Sequence, residues 1–436
     1  MTLDAPARSA LVDLGRDPRT VGRGPALLLR AARLDRSGPA DPWDAAPTER
    51  LADLMDRVGP RPRGTAELIG VLEREGLTGH GGAHVPTWAK WRAAQRAGGR
   101  LTVVANGAES EPLSAKDAIL LQQRPHLVLD GLALAAEALG AHRAVVWLHG
   151  ADEVTRVSVQ AAISERRAAR IAEPLLEVVV GPTHYLAGES SAIAQALNGG
   201  PALPTARRRG TAEAADSPRT LVQNVETLAR LALIARGYPP MATMLLTVLT
   251  PVGREVLEVP RGTPFTDVLE LTGWLRGRPP KAVLLGGFGG LWVHWRDVEH
   301  LTFDETELRA VELTAGAGVV APIPAGSCGL AETAAMAEYL ASMSARQCGP
   351  CLFGLPALAE GVRLLVAGTA TRRERIQVRT DLRAVEGRGA CHHPDGATRL
   401  IASALAVFEH DLDQHARGRV CPGSGEITLP VPRGTR

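Results

Sequence analysis

The chain has 436 residues, 45% hydrophobic and 22% charged, which is the composition of an ordinary globular protein with room for two or three domains. Its 49 basic and 47 acidic residues leave a net charge of +2, too little field to recruit a nucleic-acid backbone or an anionic lipid surface. No stretch approaches the ~18 uninterrupted apolar residues of a membrane span, and Asp4 and Asp13 stand where a basic leader would begin, so a cytoplasmic protein is expected, without direct membrane insertion.

Residues 1–47, rich in Ala, Arg, Asp and Pro, lack a period and read as an irregular extension. Leu68, Ile69 and Leu72 predict a helix over 65–75, followed by a glycine-rich loop over 76–83. Strand patterns at 101–105, 144–148 and 176–180 alternate with helical patterns at 125–139 and 222–234, which predicts a parallel α/β sheet. Tyr238-Pro239-Pro240 breaks this texture. Two β runs, 245–249 and 255–259, predict a hairpin, and a helix at 265–275 with a strand at 282–285 completes a small α+β unit. Beyond Pro324 the pattern is helical, at 330–343, 355–365 and around 400–410.

Lysine is rare, at positions 90, 116 and 281 only, so its placement carries information. Lys90 follows Gly79-His80-Gly81-Gly82-Ala83-His84-Val85-Pro86-Thr87; closely spaced glycines expose backbone N–H groups to a phosphate and a lysine adds charge, although the same loop could be a plain tight turn. Asn106-Gly107-Ala108-Glu109-Ser110-Glu111-Pro112 comes directly after a strand and runs on to Lys116-Asp117, where open α/β sheets bind ligands; a solvated acidic loop is the alternative. Tyr185-Leu186-Ala187-Gly188-Glu189-Ser190 and Gln223-Asn224-Val225-Glu226-Thr227 could each be a helix cap.

Taken in order, these four segments resemble the flavoprotein subunit of respiratory complex I and its kin in NAD-dependent hydrogenases and formate dehydrogenases, over about residues 48–410. The resemblance implies a Rossmann-like flavin domain at 48–237, a β-grasp domain at 238–325 and a helical iron–sulfur-binding bundle at 326–436. It implies that Gly79, Gly81, Gly82, Lys90, Asn106, Glu109, Gly188, Glu189, Asn224 and Thr227 hold FMN, and that Glu111 faces the nicotinamide. Departures from the family pattern are His80 for arginine, His84 and Val85 for glycine and phenylalanine, Ala108 for aspartate, Ser190 for glutamate and Gln223 for asparagine. All five phenylalanines fall at 265 or later, which removes the rings on which the family stacks adenine and leaves Trp88 as the nearby substitute.

The cysteines are too few and too clustered for a disulfide framework. Cys348-Gly349-Pro350-Cys351 could place two thiolates on one helical turn, as a redox dithiol, part of a zinc site or part of an iron–sulfur site. The resemblance selects the last, with Cys391 as the distant ligand and Ala345 where the family has its first cysteine. Three thiolates could hold a 3Fe–4S cluster, a 4Fe–4S cluster with one labile iron, or nothing. Cys328, His392, His393 and Asp395 are candidates for the fourth ligand, and Cys421 reads as an uninvolved terminal cysteine. The expected activity is NADH-dehydrogenase-like: electrons pass from NAD(H) or another reduced donor through FMN, and through the cluster, to a partner subunit. A degenerate scaffold of the same fold, binding a partner or small ligand without catalysis, is the alternative, and nucleic acid is not an expected partner.

Overall fold

A computed structural model describes residues 7–11, 28–29, 48–82, 84–205, 219–239, 243–419, 421 and 423–432. Strand β1 (Ala7–Leu11) lies within the segment expected to be irregular; it pairs edge to edge with a later strand, a tertiary partner that a five-residue run cannot announce. Nearby, the backbone N–H groups of Leu28 and Leu29 donate to the buried Glu258 carboxylate at 3.1 and 2.9 Å.

The first layer is a four-stranded parallel sheet of β2 (Thr102–Gly107), β3 (Arg143–Leu148), β4 (Leu176–Val180) and β5 (Thr220–Asn224), in the order β4-β3-β2-β5. The chain winds outward from β2 to β4 and then returns to the far side of β2, so the winding direction reverses between β2 and β5. Carboxyl ends at such a reversal leave a crevice. In register, Asn106 lies opposite Asn224 at that end. Helices Pro125–Ala138 and Val225–Ile234 bury Leu127, Leu132, Leu228 and Leu231 against the sheet in one core.

The helix expected over 222–234 is corrected: Val222, Gln223 and Asn224 belong to β5, and the helix begins at Val225. Strand and helix join without a loop, because Asn224 ends the strand in extended conformation and its side chain accepts the Glu226 N–H at 2.9 Å as an N-cap.

A second sheet runs β1-β7-β6-β10-β8-β9, built from β6 (Thr243–Thr250), β7 (Gly253–Pro260), β8 (Ala282–Leu285), β9 (Leu291–His294) and β10 (Val319–Ile323). The β6–β7 hairpin is antiparallel and β10 is parallel to β6 in the middle, the strand order of a β-grasp unit. Alternation divides its faces. Val283 and Leu285 pack with Val268 and Leu269 of helix Phe265–Leu271, whereas Ala282 and Leu284 pack towards the C-terminal helices. Leu245 and Val256 join the core of the first layer, so the hairpin is clamped to the first domain.

Helices Gly329–Ser342, Leu355–Val366, Arg372–Val385, His393–Val407 and Glu409–Ala416 form the C-terminal bundle, with Met336, Leu358, Val362, Leu400 and Ile401 among its buried residues. No helix among the described residues is long and apolar enough to cross a membrane.

Candidate functional site

Three loops converge at the β2/β5 crevice. Gly79 closes the first, its N–H donating to the Val85 carbonyl at 2.9 Å; the next N–H, of His80, donates to Thr227 Oγ1 at 2.9 Å. Gly82 holds φ +97°, and Gly81 is exposed with Asn224 Cβ 3.6 Å from where a Cβ of its own would lie. Helix Thr87–Ala97 starts straight after the loop with no side-chain cap and no acidic residue in its first turn, while Lys90 lies within that turn. Lys90 Nζ also reaches the Val222 carbonyl at 3.4 Å. An uncapped positive dipole end beside a glycine loop and a lysine suits an anion.

The second loop follows β2. Asn106 Nδ2 donates to the Gly188 carbonyl at 2.8 Å, and a Cβ on Gly188 would come within 2.6 Å of Ser110 Oγ, so only glycine lets the 3₁₀ turn Tyr185–Gly188 close on this loop. Glu109 uses both oxygens locally: it accepts the N–H groups of Asp117 and Ala118 at 3.1 and 3.0 Å and the Ser114 hydroxyl. Burial, with the Asp117 carboxylate beside it, pushes Glu109 up to about 7. Glu189 likewise caps its own helix, Ser190–Leu197, through Ser191 and Ala192.

Lys116 serves the frame beneath the crevice. Its buried ammonium is held at 2.7 Å from Asp117 and 2.9 Å from Glu226, and Asn224 Nδ2 donates to Asp117 at 2.6 Å. Against the upward pull of burial, Lys116, His80 and Arg230 hold the Glu226 carboxyl well below its usual range. Burial pushes His80 down to about 3, which keeps it neutral where the family carries an arginine. His84 takes the left-handed conformation, φ +49°, that its glycine counterpart in the family pattern would adopt freely.

The β-grasp unit supplies the third loop, Gly286-Gly287-Phe288. Glu111 accepts the Phe288 N–H at 2.9 Å and the Leu113 N–H at 3.3 Å, with the Tyr185 hydroxyl at 3.5 Å. Burial pushes Glu111 up to about 8. Gly287, at φ +80°, leaves the room that Glu111 fills: a Cβ there would stand 2.4 Å from the Glu111 carboxyl carbon. The sequence reading gave Tyr185 no role beyond opening its segment and did not single out Gly287, whose signal was the run Gly286-Gly287-Phe288-Gly289-Gly290. The Trp88 ring is covered by Arg92, 4.9 Å from its centroid.

Behind Glu111 lies an aromatic cluster linking the crevice to the bundle. The Tyr185 ring is 5.5 Å from His393 and 6.0 Å from Tyr339, itself 5.5 Å from Phe288. His393 stands two residues from Cys391, and its Nε2 contacts the Leu340 carbonyl at 2.8 Å, which occupies it as a ligand.

Cys348, Cys351 and Cys391 come together: burial, then the adjacent Cys348 and Cys391 thiols, push Cys351 up to about 12. Cys351 lies in a π-helical turn, Pro350–Gly354, with Cys348 two residues before that turn. Among the fourth-ligand candidates, His392 is exposed and lies 3.9 Å from Asp395, whose Oδ1 accepts the Gly387 N–H. Cys328 is corrected: it groups with His415 and Cys421, because its helix starts at the far end of the bundle. Cys421, read as an uninvolved terminal cysteine, lies with its Sγ 3.0 Å from His415 Nε2.

The crevice suits FMN by what it leaves unused. Gln223 Nε2 and His80 Nδ1 are buried beside it without hydrogen-bond partners among the described residues, next to the uncapped helix start and the glycine loop. The three thiols suit three corners of an iron–sulfur cluster.

A parallel sheet with a phosphate-type loop at its reversal, a β-grasp unit lending a wall and a cysteine-bearing bundle behind it define a flavin and iron–sulfur protein. Residues 72–233 match the Nuo51 FMN-binding domain, and residues 331–415 the NADH-ubiquinone oxidoreductase-F iron-sulfur binding region. The chain belongs to the family of complex I NADH-dehydrogenase flavoproteins as a divergent member. It is 28% identical over 382 residues to the second F-type NADH-quinone oxidoreductase chain of Rhizobium meliloti, covering 82% of this chain and 90% of that one. It is 24% identical to HndC, a chain of the NADP-reducing hydrogenase of Solidesulfovibrio fructosivorans, over 82% of this chain and 77% of that one. Among solved structures, a NAD+-reducing [NiFe]-hydrogenase in the air-oxidized state shares the fold with TM-score 0.70 at 25% identity, over 85% of this chain and 67% of that chain.

Proposed function

We propose that this chain is a cytoplasmic electron-transfer subunit that oxidises a reduced nicotinamide at FMN and passes the electrons, through a cluster held by Cys348, Cys351 and Cys391, to a partner subunit. On this reading residues 48–237 hold FMN, 238–325 form the β-grasp wall and 326–436 carry the cluster. The observation that carries it is Tyr185, which touches Glu111 on one side and His393, two residues from Cys391, on the other. One ring thereby separates the crevice from the cysteine segment.

FMN, when bound, accepts a hydride's two electrons and releases them one at a time. The residues around it bind, orient and shield. Gly79, Gly81, Gly82 and Lys90 hold the phosphate; Asn106, Gly188, Asn224 and Thr227 shape the crevice; Glu109 and Glu189 fix the helix starts that border it. Glu111 stays protonated at neutral pH, being pushed up to about 8, so it presents a neutral hydrogen-bonding wall towards the nicotinamide. Because Trp88 is already covered by Arg92 and phenylalanines are missing from this domain, adenine is held weakly and selectivity between NADH and NADPH is low.

The test is anaerobic titration with FMN followed by stopped-flow reduction with NADH and NADPH. Saturable FMN binding with slow, weakly selective reduction is expected. Absence of binding at high micromolar FMN would return the chain to the non-catalytic scaffold.

A further inference from the structure

At the opposite end of the bundle from the cluster cysteines, three ligand-type side chains converge. Cys328 is the N-cap residue of helix Gly329–Ser342, His415 lies in the last turn of helix Glu409–Ala416, and Cys421 follows in the C-terminal tail. His415 Nε2 stands 3.9 Å from Cys328 Sγ and 3.0 Å from Cys421 Sγ, and all three ligand atoms lie within 4.8 Å of one another. This is the one such gathering of three among the described residues.

The geometry points to a metal site here: Cys328, His415 and Cys421 bind one zinc-class divalent cation that pins the C-terminal tail to the start of the bundle. Tetrahedral zinc with Zn–S near 2.3 Å and Zn–N near 2.0–2.1 Å requires S···N separations of about 3.6 Å. The observed 3.9 and 3.0 Å bracket that value. The imidazole already presents the right nitrogen. Nε2 is the ring nitrogen that faces both sulfurs; the Cys421 N–H now donates to it at 3.1 Å, and a metal would take over that lone pair as the N–H turns aside. Nδ1 is buried with no hydrogen-bond partner among the described residues, and Cys328 and His415 have no exposed surface at all.

Charge balance agrees. Binding a divalent cation releases one proton from each thiol to solvent, and the bound unit M²⁺ with two thiolates and one imidazole carries no net charge. Burial pushes the Cys328 thiol up to about 12, the N–H groups at the start of its helix opposing this only in part, so without a metal it stays a thiol. The fourth position is left to water, reachable because Cys421 is half-exposed. The consequence is mechanical. Gly423 bridges to Ser327 and the N–H of Thr428 donates to the buried Glu332 at 2.6 Å, so the clip fixes the point from which the tail lies back on the bundle.

This site is independent of FMN and of the cluster, and its test keeps them apart. Metal content is measured on full-length chains purified anaerobically, for wild type, for Cys348→Ser/Cys351→Ser/Cys391→Ser, for Cys421→Ser and for His415→Gln. About one zinc per chain is expected in wild type and in the triple variant, lost in Cys421→Ser and His415→Gln. On the wild-type chain, alkylation mapped by mass spectrometry should find Cys328 and Cys421 protected until a chelator is added, which keeps the test valid if a variant misfolds. Zinc unchanged in Cys421→Ser, no zinc in the triple variant supplied with it, or an intact mass showing a Cys328–Cys421 disulfide would each overturn the site.

Discussion

Gly287→Ala isolates the contribution of the β-grasp wall. At φ +80° an alanine bears about 1–2 kcal/mol of left-handed strain. Its Cβ would also stand 2.4 Å from the Glu111 carboxyl carbon and 2.7 Å from each oxygen. The loop cannot retreat, because Gly286 packs backbone to backbone on Gly316, whose own added Cβ would lie 2.9 Å from Gly286 Cα. Relief therefore comes from Glu111 leaving the Phe288 N–H, and overpacking of this kind costs about 1–3 kcal/mol more. Gly262→Ala is the control: its φ is +84° with nothing within 4 Å of the added Cβ, so it bears the strain without the clash. Urea denaturation should show both variants destabilised and Gly287→Ala the more so by about 1–3 kcal/mol. In stopped flow, Gly287→Ala should retain FMN within about threefold and lose on the order of 10- to 100-fold in the rate of flavin reduction by NADH, the equivalent of about 1.4–2.8 kcal/mol. Equal stability and equal reduction rates in the two variants would refute the placement of Glu111 against Gly287.

Lys90→Ala should weaken FMN binding by at least about tenfold, as expected for loss of one close charge. Lys281→Ala should leave it unchanged, since Lys281 pairs with Asp411 in another part of the molecule; isothermal titration distinguishes them. Lys116→Met should destabilise by about 3–5 kcal/mol in denaturant melts, because it leaves Asp117 and Glu226 buried without their ammonium partner. Glu109 and Glu111 have folded-state values raised to about 7 and about 8. A raised carboxyl stabilises fully below its unfolded value and loses that contribution as pH rises through the folded value. The FMN-free chain should therefore be less stable at pH 9 than at pH 6, and Glu111→Gln should flatten that fall; a denaturation midpoint that rises over this range would contradict the burial of both carboxyls.

Much of this architecture was legible because it rests on local signals. The alternation in 245–249 and 255–259 gave the hairpin, and the closely spaced glycines at 79–82 gave the tight loop before helix Thr87–Ala97. Strand β5 was hidden because Val222 reads equally well as helix or strand when Asn224 caps a helix directly, and only the sheet partner β2 decides between them. The Glu111 wall was hidden for a different reason: Gly287 and Phe288 lie more than 170 residues along the chain from it. The same holds for the Cys328–His415–Cys421 gathering, whose spacing matches no local metal motif and is produced entirely by the way the tail returns to the bundle. Lys116 shows the reverse: it ends a segment read as a ligand loop, and its buried ion pairs give it a structural role.

Electron flow from a nicotinamide through FMN to the cysteine site can be followed by electron paramagnetic resonance on the FMN-loaded, anaerobically reconstituted chain before and after addition of NADH. With three thiolates present, the cluster signal should change on NADH addition only when FMN is bound and should be lost in Cys391→Ser. In wild type it should convert to a three-iron form on mild oxidation, a conversion that Ala345→Cys prevents. A cluster signal indifferent to FMN, an unchanged signal in Cys391→Ser, or zinc in place of iron at Cys348, Cys351 and Cys391 would show that electrons do not take this route.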